Sequence, residues 1–110
     1  MLFVHLFHLL IIGSLFLYVG IKRTDIPKFM YPILLSLGGI IIAYHSYKAF
    51  HKKSKWVNLI HILFVGPLLM YIGWAGSETP RMFFELLIMF GFAAIGYHGY
   101  YIWEENHIER

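Results

Sequence analysis

The chain is 110 residues long, 59% hydrophobic and 14% charged, with a formal charge of +3 and no cysteine. Ordinary soluble domains are roughly 45–50% apolar and about 25% charged, and a domain this small buries too little of its area to hide such an excess. The composition therefore predicts an integral membrane protein. It also excludes disulfides, thiolate metal sites and thiol catalysis.

In chain order, the first predicted span is Leu2–Ile21, which carries His5 and His8. No basic segment precedes it and a similar run recurs inside the chain, so it is read as a retained helix and not a signal peptide. The connector Lys22–Lys28 contains Thr24-Asp25-Ile26-Pro27, the chemistry of a helix start. The second span, Phe29–Phe50, carries Gly38 and, two turns later, His45. The polar stretch His51–Lys55 is expected to lie beside anionic lipid headgroups.

The third span, Val57–Ala75, carries His61, and Gly66-Pro67 predicts a close crossing or a mild kink there, as Gly13 does in the first. Ser77-Glu78-Thr79-Pro80 repeats the helix-start signal before the fourth span, Met82–Trp103, with Gly91 and His98. Glu85 falls in the first turn of that span, where an acid complements the helix dipole. The charged residues Glu104–Arg110 are expected to extend the fourth helix outside the membrane. Each span has about the 20 residues needed to cross a bilayer. Phe50, Trp56, Tyr100, Tyr101 and Trp103 are expected at one interface, and Tyr18, Tyr31, Tyr71 and Trp74 at the other. Lys and Arg sit almost entirely between and beside the spans, which matches headgroup contact better than nucleic-acid binding.

The second half of the chain repeats the first 53 residues later without a gap. Val4, His8, Gly13, Tyr18, Gly20, Pro27, Gly38, Tyr44 and His45 recur as Val57, His61, Gly66, Tyr71, Gly73, Pro80, Gly91, Tyr97 and His98. The expected fold is all-α: one membrane domain over 1–110, a four-helix transmembrane bundle of two tandem, parallel-repeat helical hairpins over 2–50 and 55–103.

At about 1.5 Å per residue, His8, His45, His61 and His98 lie at one depth, roughly 8–10 Å inside one face of the membrane. His5 lies one turn above His8, with Asn58 as its repeat partner. An unpartnered imidazole in lipid is costly, so the histidines are expected to face the bundle interior. Gly38 and Gly91 share their stripe and allow close approach. Such a layer has three readings. It can be polar glue, in which imidazoles bond to carbonyls or tyrosine hydroxyls and lock helices together. It can ligate haem b or a transition metal through His8, His45, His61 and His98, with Lys48, Lys52 and Lys55 placed for propionates. Or it can relay protons, with Tyr44, Tyr47, Tyr97 and Tyr100 as hydroxyl neighbours. No nucleophile–base pair, Gly-rich phosphate loop or paired carboxylates point to an enzyme.

The unit His61, Gly66, Pro67, Leu68, Tyr71, Gly73, then Thr79-Pro80, then Gly91, Tyr97, His98 and Tyr100 resembles small uncharacterised polytopic membrane proteins encoded by giant DNA viruses of algae and protists. The first half departs from it, with Ser14 in place of Pro and Ile26 before Pro27. The resemblance implies a location, the virion inner membrane or host membranes during infection, and no catalytic role. The leading expectation is a non-enzymatic structural or assembly component, whose partners are the lipid bilayer and further copies of itself. A haem- or metal-binding membrane protein and a small proton or ion channel stand beside it.

Overall fold

A computed structural model describes residues 2–51 and 55–108, with side chains for 2–51 and 56–104. Lys52, Lys53 and Ser54 of the expected headgroup loop, and Glu109 and Arg110 of the tail, lie outside the described residues.

The fold is all-α, as the sequence predicts. Helix α1, residues 2–22, comprises Leu2–Phe7, a π turn at His8–Ile12 and Gly13–Lys22, followed by a 3-10 turn at Arg23–Asp25. Helix α2 is Met30–His51. Helix α3, residues 55–75, comprises Lys55–Ile60, a π turn at His61–Val65 and Gly66–Ala75, followed by a 3-10 turn at Gly76–Glu78. Helix α4 is Arg81–Ile108. Four segments, Leu2–Asp25, Met30–His51, Trp56–Glu78 and Arg81–Glu104, are long and apolar enough to cross a membrane.

Two compact units divide the chain. One joins α1 to α4 from Phe84 onward, and the other is Thr24–Phe83, containing α2 and α3. The sequence halves suggest instead that α1 forms a hairpin with α2, and α3 with α4. Glycine supplies the physical reason for the observed units. A Cβ on Gly73 of α3 would lie 2.5 Å from the Leu35 nitrogen and 2.6 Å from the Tyr31 carbonyl oxygen of α2. A Cβ on Gly20 of α1 would lie 2.9 Å from the Phe84 carbonyl oxygen of α4. Gly38 meets the Gly66 carbonyl oxygen in the same way, at 2.7 Å. Missing side chains let the backbones touch, and each pair runs antiparallel. Gly38 thus plays the part expected of it.

At Gly13 and Gly66 the expected crossing or kink takes the form of a widened turn. The Gly13 N–H donates to the His8 carbonyl and the Gly66 N–H to the His61 carbonyl, five residues back in each case. Pro67 has no N–H to give, and a widened turn eases its ring past the preceding carbonyls. Ser14 stands at the matching position of α1, so the π turn does not depend on proline.

The connectors follow turn chemistry more than capping. The Thr79 hydroxyl, expected to cap α4, donates to the Gly76 carbonyl at 2.7 Å and closes the 3-10 turn. Pro80 and Pro27 act at the helix starts through their carbonyls, which accept from Phe83 and Met30. After α1, Arg23 adopts φ 54°, ψ −122°; after α3, Gly76 adopts φ 59°, ψ −129°. That region suits glycine and strains a residue with a Cβ. Arg23→Gly is therefore expected to raise the unfolding free energy by about 1 kcal/mol, seen as a higher melting temperature in detergent; an unchanged or lowered one would contradict the strain.

Most expected interface aromatics are outward-facing. Phe50 is 87% and Trp74 77% exposed, and Trp56, Trp103, Tyr18, Tyr71 and Tyr100 are exposed too. Tyr31 differs: it is buried, and its hydroxyl has no hydrogen-bond partner among the described residues. Its repeat counterpart is Phe84, also buried. Because a buried unpaired hydroxyl costs free energy, Tyr31→Phe is expected to stabilise the protein by about 1 kcal/mol. Chemical denaturation of the purified variant checks this, and a loss of stability would show that the hydroxyl has a partner in solution.

Candidate functional site

The histidines form two clusters, one in each compact unit. In the α1–α4 unit, His5 and His98 are buried and their Nδ1 atoms lie 2.8 Å apart. The His8 ring stacks on His98, with centroids 4.5 Å apart and planes 26° from parallel. Tyr101 stacks on His5 at 5.7 Å, and Tyr97 meets His98 edge-on at 5.0 Å. In the α2–α3 unit, buried His45 places Nδ1 3.0 Å from Oδ1 of Asn58, which is 1% exposed. The His61 ring stacks on His45 at 4.1 Å and 21°.

The helices set these positions locally. His5 and His8, like Asn58 and His61, are three residues apart and so share a helix face. At the mouth of each π turn a histidine bonds back along its own helix: His8 Nδ1 lies 2.8 Å from the Val4 carbonyl, and His61 Nδ1 2.8 Å from the Val57 carbonyl. A carbonyl only accepts, so both Nδ1 atoms carry the proton. By the same logic His45 Nδ1–H donates to the Asn58 amide oxygen. Between His5 and His98 one Nδ1 donates and the other accepts.

His8, His45, His61 and His98 are thus brought together pairwise, His8 with His98 and His45 with His61. The stacked arrangement bears on the ligand reading. Ligand lone pairs lie in the imidazole plane, so two rings stacked face to face aim them side by side and not at a shared ion. No group of three or more His, Asp or Glu side chains among the described residues is placed to hold a metal ion. Lys48, expected near haem propionates, has its Nζ 5.4 Å from the Tyr44 ring centroid, a cation–π contact. The side chains of Lys52 and Lys55 lie outside those described.

What the arrangement does chemically is join helices. The His5–His98 bond spans α1 and α4, and the His45–Asn58 bond spans α2 and α3. In an apolar surrounding such bonds contribute roughly 0.6–2 kcal/mol each. His5 and Asn58 are the two bonded residues that identity across the repeat does not select, since they differ from one another. Their shared offset and their common spacing to His8 and His61 were the available signal. No family model, curated protein or solved structure matches the chain.

Proposed function

We propose that the protein is a non-enzymatic, multi-pass integral membrane component with a structural role, presenting a fixed helix arrangement to the bilayer for membrane organisation or assembly. The observation that carries this reading is the engagement of buried polar side chains in helix-to-helix bonds, His5 with His98 and His45 with Asn58. Four membrane-length apolar segments and outward tryptophans at their ends support it. The groove on α2 lined by Pro32, Ile33, Ser36, Leu37 and Ile40 has no titratable group in its wall, which suits lipid contact better than chemistry. The resemblance to viral membrane proteins would place the bilayer in a virion or an infected host.

Purified protein in detergent and in proteoliposomes tests the role. The expected result is no proton flux above that of empty liposomes, no Soret band and no stoichiometric metal, with reduced thermal stability when His45 and His98 are both changed to Phe. Proton flux, or a haem spectrum that the same double substitution abolishes, would overturn it.

A further inference from the structure

We infer, on the reading of α1 as a membrane span, that Lys22 and Arg23 form a binding site for a phosphate ester anion, supplied by the headgroup of an acidic phospholipid where α1 leaves the bilayer. The backbone gives the first reason. Helices α1 and α3 end in the same turn, Arg23 at φ 54°, ψ −122° and Gly76 at φ 59°, ψ −129°. Glycine enters this region freely and a residue with a Cβ is strained there. Among the described residues, Arg23 is the only one besides glycine with a positive φ. Folding alone therefore favours glycine at both ends. A strained side chain persists where its head group does something that glycine cannot.

The sequence around the two turns isolates the change. Asp25 and Glu78 are both acids, Pro27 and Pro80 are both prolines, and Lys28 and Arg81 are both bases. Where the second half has Ala75 and Gly76, the first has Lys22 and Arg23. The adjacent pair of cations thus belongs to α1 alone. Helix electrostatics do not require it, because α3 ends with no base in its last turn and Lys22 already supplies one to α1. An internal ion pair does not account for it either. Both side chains are exposed, and neither forms an ion pair among the described residues.

A guanidinium presents paired N–H donors that match two oxygens of a phosphate, and an adjacent ammonium adds a point charge. Two cations favour a headgroup of net negative charge over phosphocholine, whose own ammonium opposes them. The position suits that source. Lys22 and Arg23 lie at the polar end of the membrane-length segment Leu2–Asp25, and Tyr18, exposed one turn earlier, suits the bilayer interface.

The test is the melting temperature in nonionic detergent, with and without phosphatidylglycerol in the micelles. The wild-type chain is expected to gain about 3–6 °C from the lipid. Arg23→Gly, although more stable without lipid, is expected to gain less than half as much. Lys28→Gln removes one charge from the same connector and is expected to gain as much as the wild type, and phosphatidylcholine is expected to raise none of the three. An Arg23→Gly gain equal to that of the wild type overturns the inference. So does a Lys28→Gln gain as small as that of Arg23→Gly, which would reduce the site to diffuse charge. Millimolar glycerol phosphate in the same detergent separates the sources: no shift supports the lipid headgroup, and an Arg23-dependent shift as large as the lipid's overturns the headgroup as the source. Should Arg23→Gly not fold, Arg23→Gln, which keeps a side chain and removes the charge, makes the same comparison. None of these readouts depends on proton flux or haem, by which the structural role is judged.

Discussion

Gly73→Ala is expected to destabilise the protein by about 2–3 kcal/mol. The added methyl would enter space 2.5 Å from the Leu35 nitrogen and 2.6 Å from the Tyr31 carbonyl oxygen. These are backbone atoms of α2, so no rotamer change relieves the clash and the two helices must part. Separating them also weakens the Gly38 contact with the Gly66 carbonyl along the same seam. Gly39 is the control, because a Cβ there meets nothing within 4 Å. Gly39→Ala is expected to be neutral or to stabilise by about 0.5–1 kcal/mol, through the ordinary helix preference for alanine. Denaturant titration of both variants in one detergent separates them. Equal effects would mean that α2 and α3 do not cross at Gly73.

Removing the His45 imidazole is the second large change. His45→Phe keeps a ring of similar size beside His61 and deletes the Nδ1–H donated to Asn58, at an expected cost of about 2 kcal/mol. Much of that cost is the buried amide oxygen deprived of this donor, since Asn58 is 1% exposed. Asn58→Leu in the same chain is therefore expected to return part of the loss. The four-member cycle should give a coupling of about 1 kcal/mol. Additive single effects would mean that the bond contributes nothing beyond the packing of the two side chains.

The four spans are legible in the sequence because charge and turn residues punctuate the apolar runs: the predicted Phe29–Phe50 is observed as Met30–His51. The inward face of each helix is legible too, since seven-residue spacing puts Gly38 and His45 on one stripe, and both are buried. Which helix meets that stripe is another matter. Spacing along one helix defines a face but not its neighbour, and hairpins drawn from the sequence halves miss the joining of α1 to α4. The π turns leave no common mark either: Pro67 signals one, while Ser14 stands silently in the other. Arg23 shows the same limit, because its strained backbone becomes visible only once Gly76 is seen in the matching conformation. The bonds of His5 and Asn58 were obscured by difference, because position 5 carries an imidazole and position 58, 53 residues later, an amide.

The pairing of α1 with α4 across the histidines is tested most directly by cross-linking, which the cysteine-free chain permits without background. Gly99 of α4 faces Leu9 of α1, a Cβ at Gly99 lying 3.9 Å from the Leu9 Cδ1, each residue next to a stacked histidine. Cysteines at Leu9 and Gly99, a protease site inserted at residues 52–54 and a short thiol-bridging reagent applied to membranes complete the design. The predicted result is that the fragments on either side of the cut stay covalently joined in the double variant and separate in each single variant. Fragments that separate despite complete thiol modification would contradict the α1–α4 pairing on which the His5–His98 cluster depends.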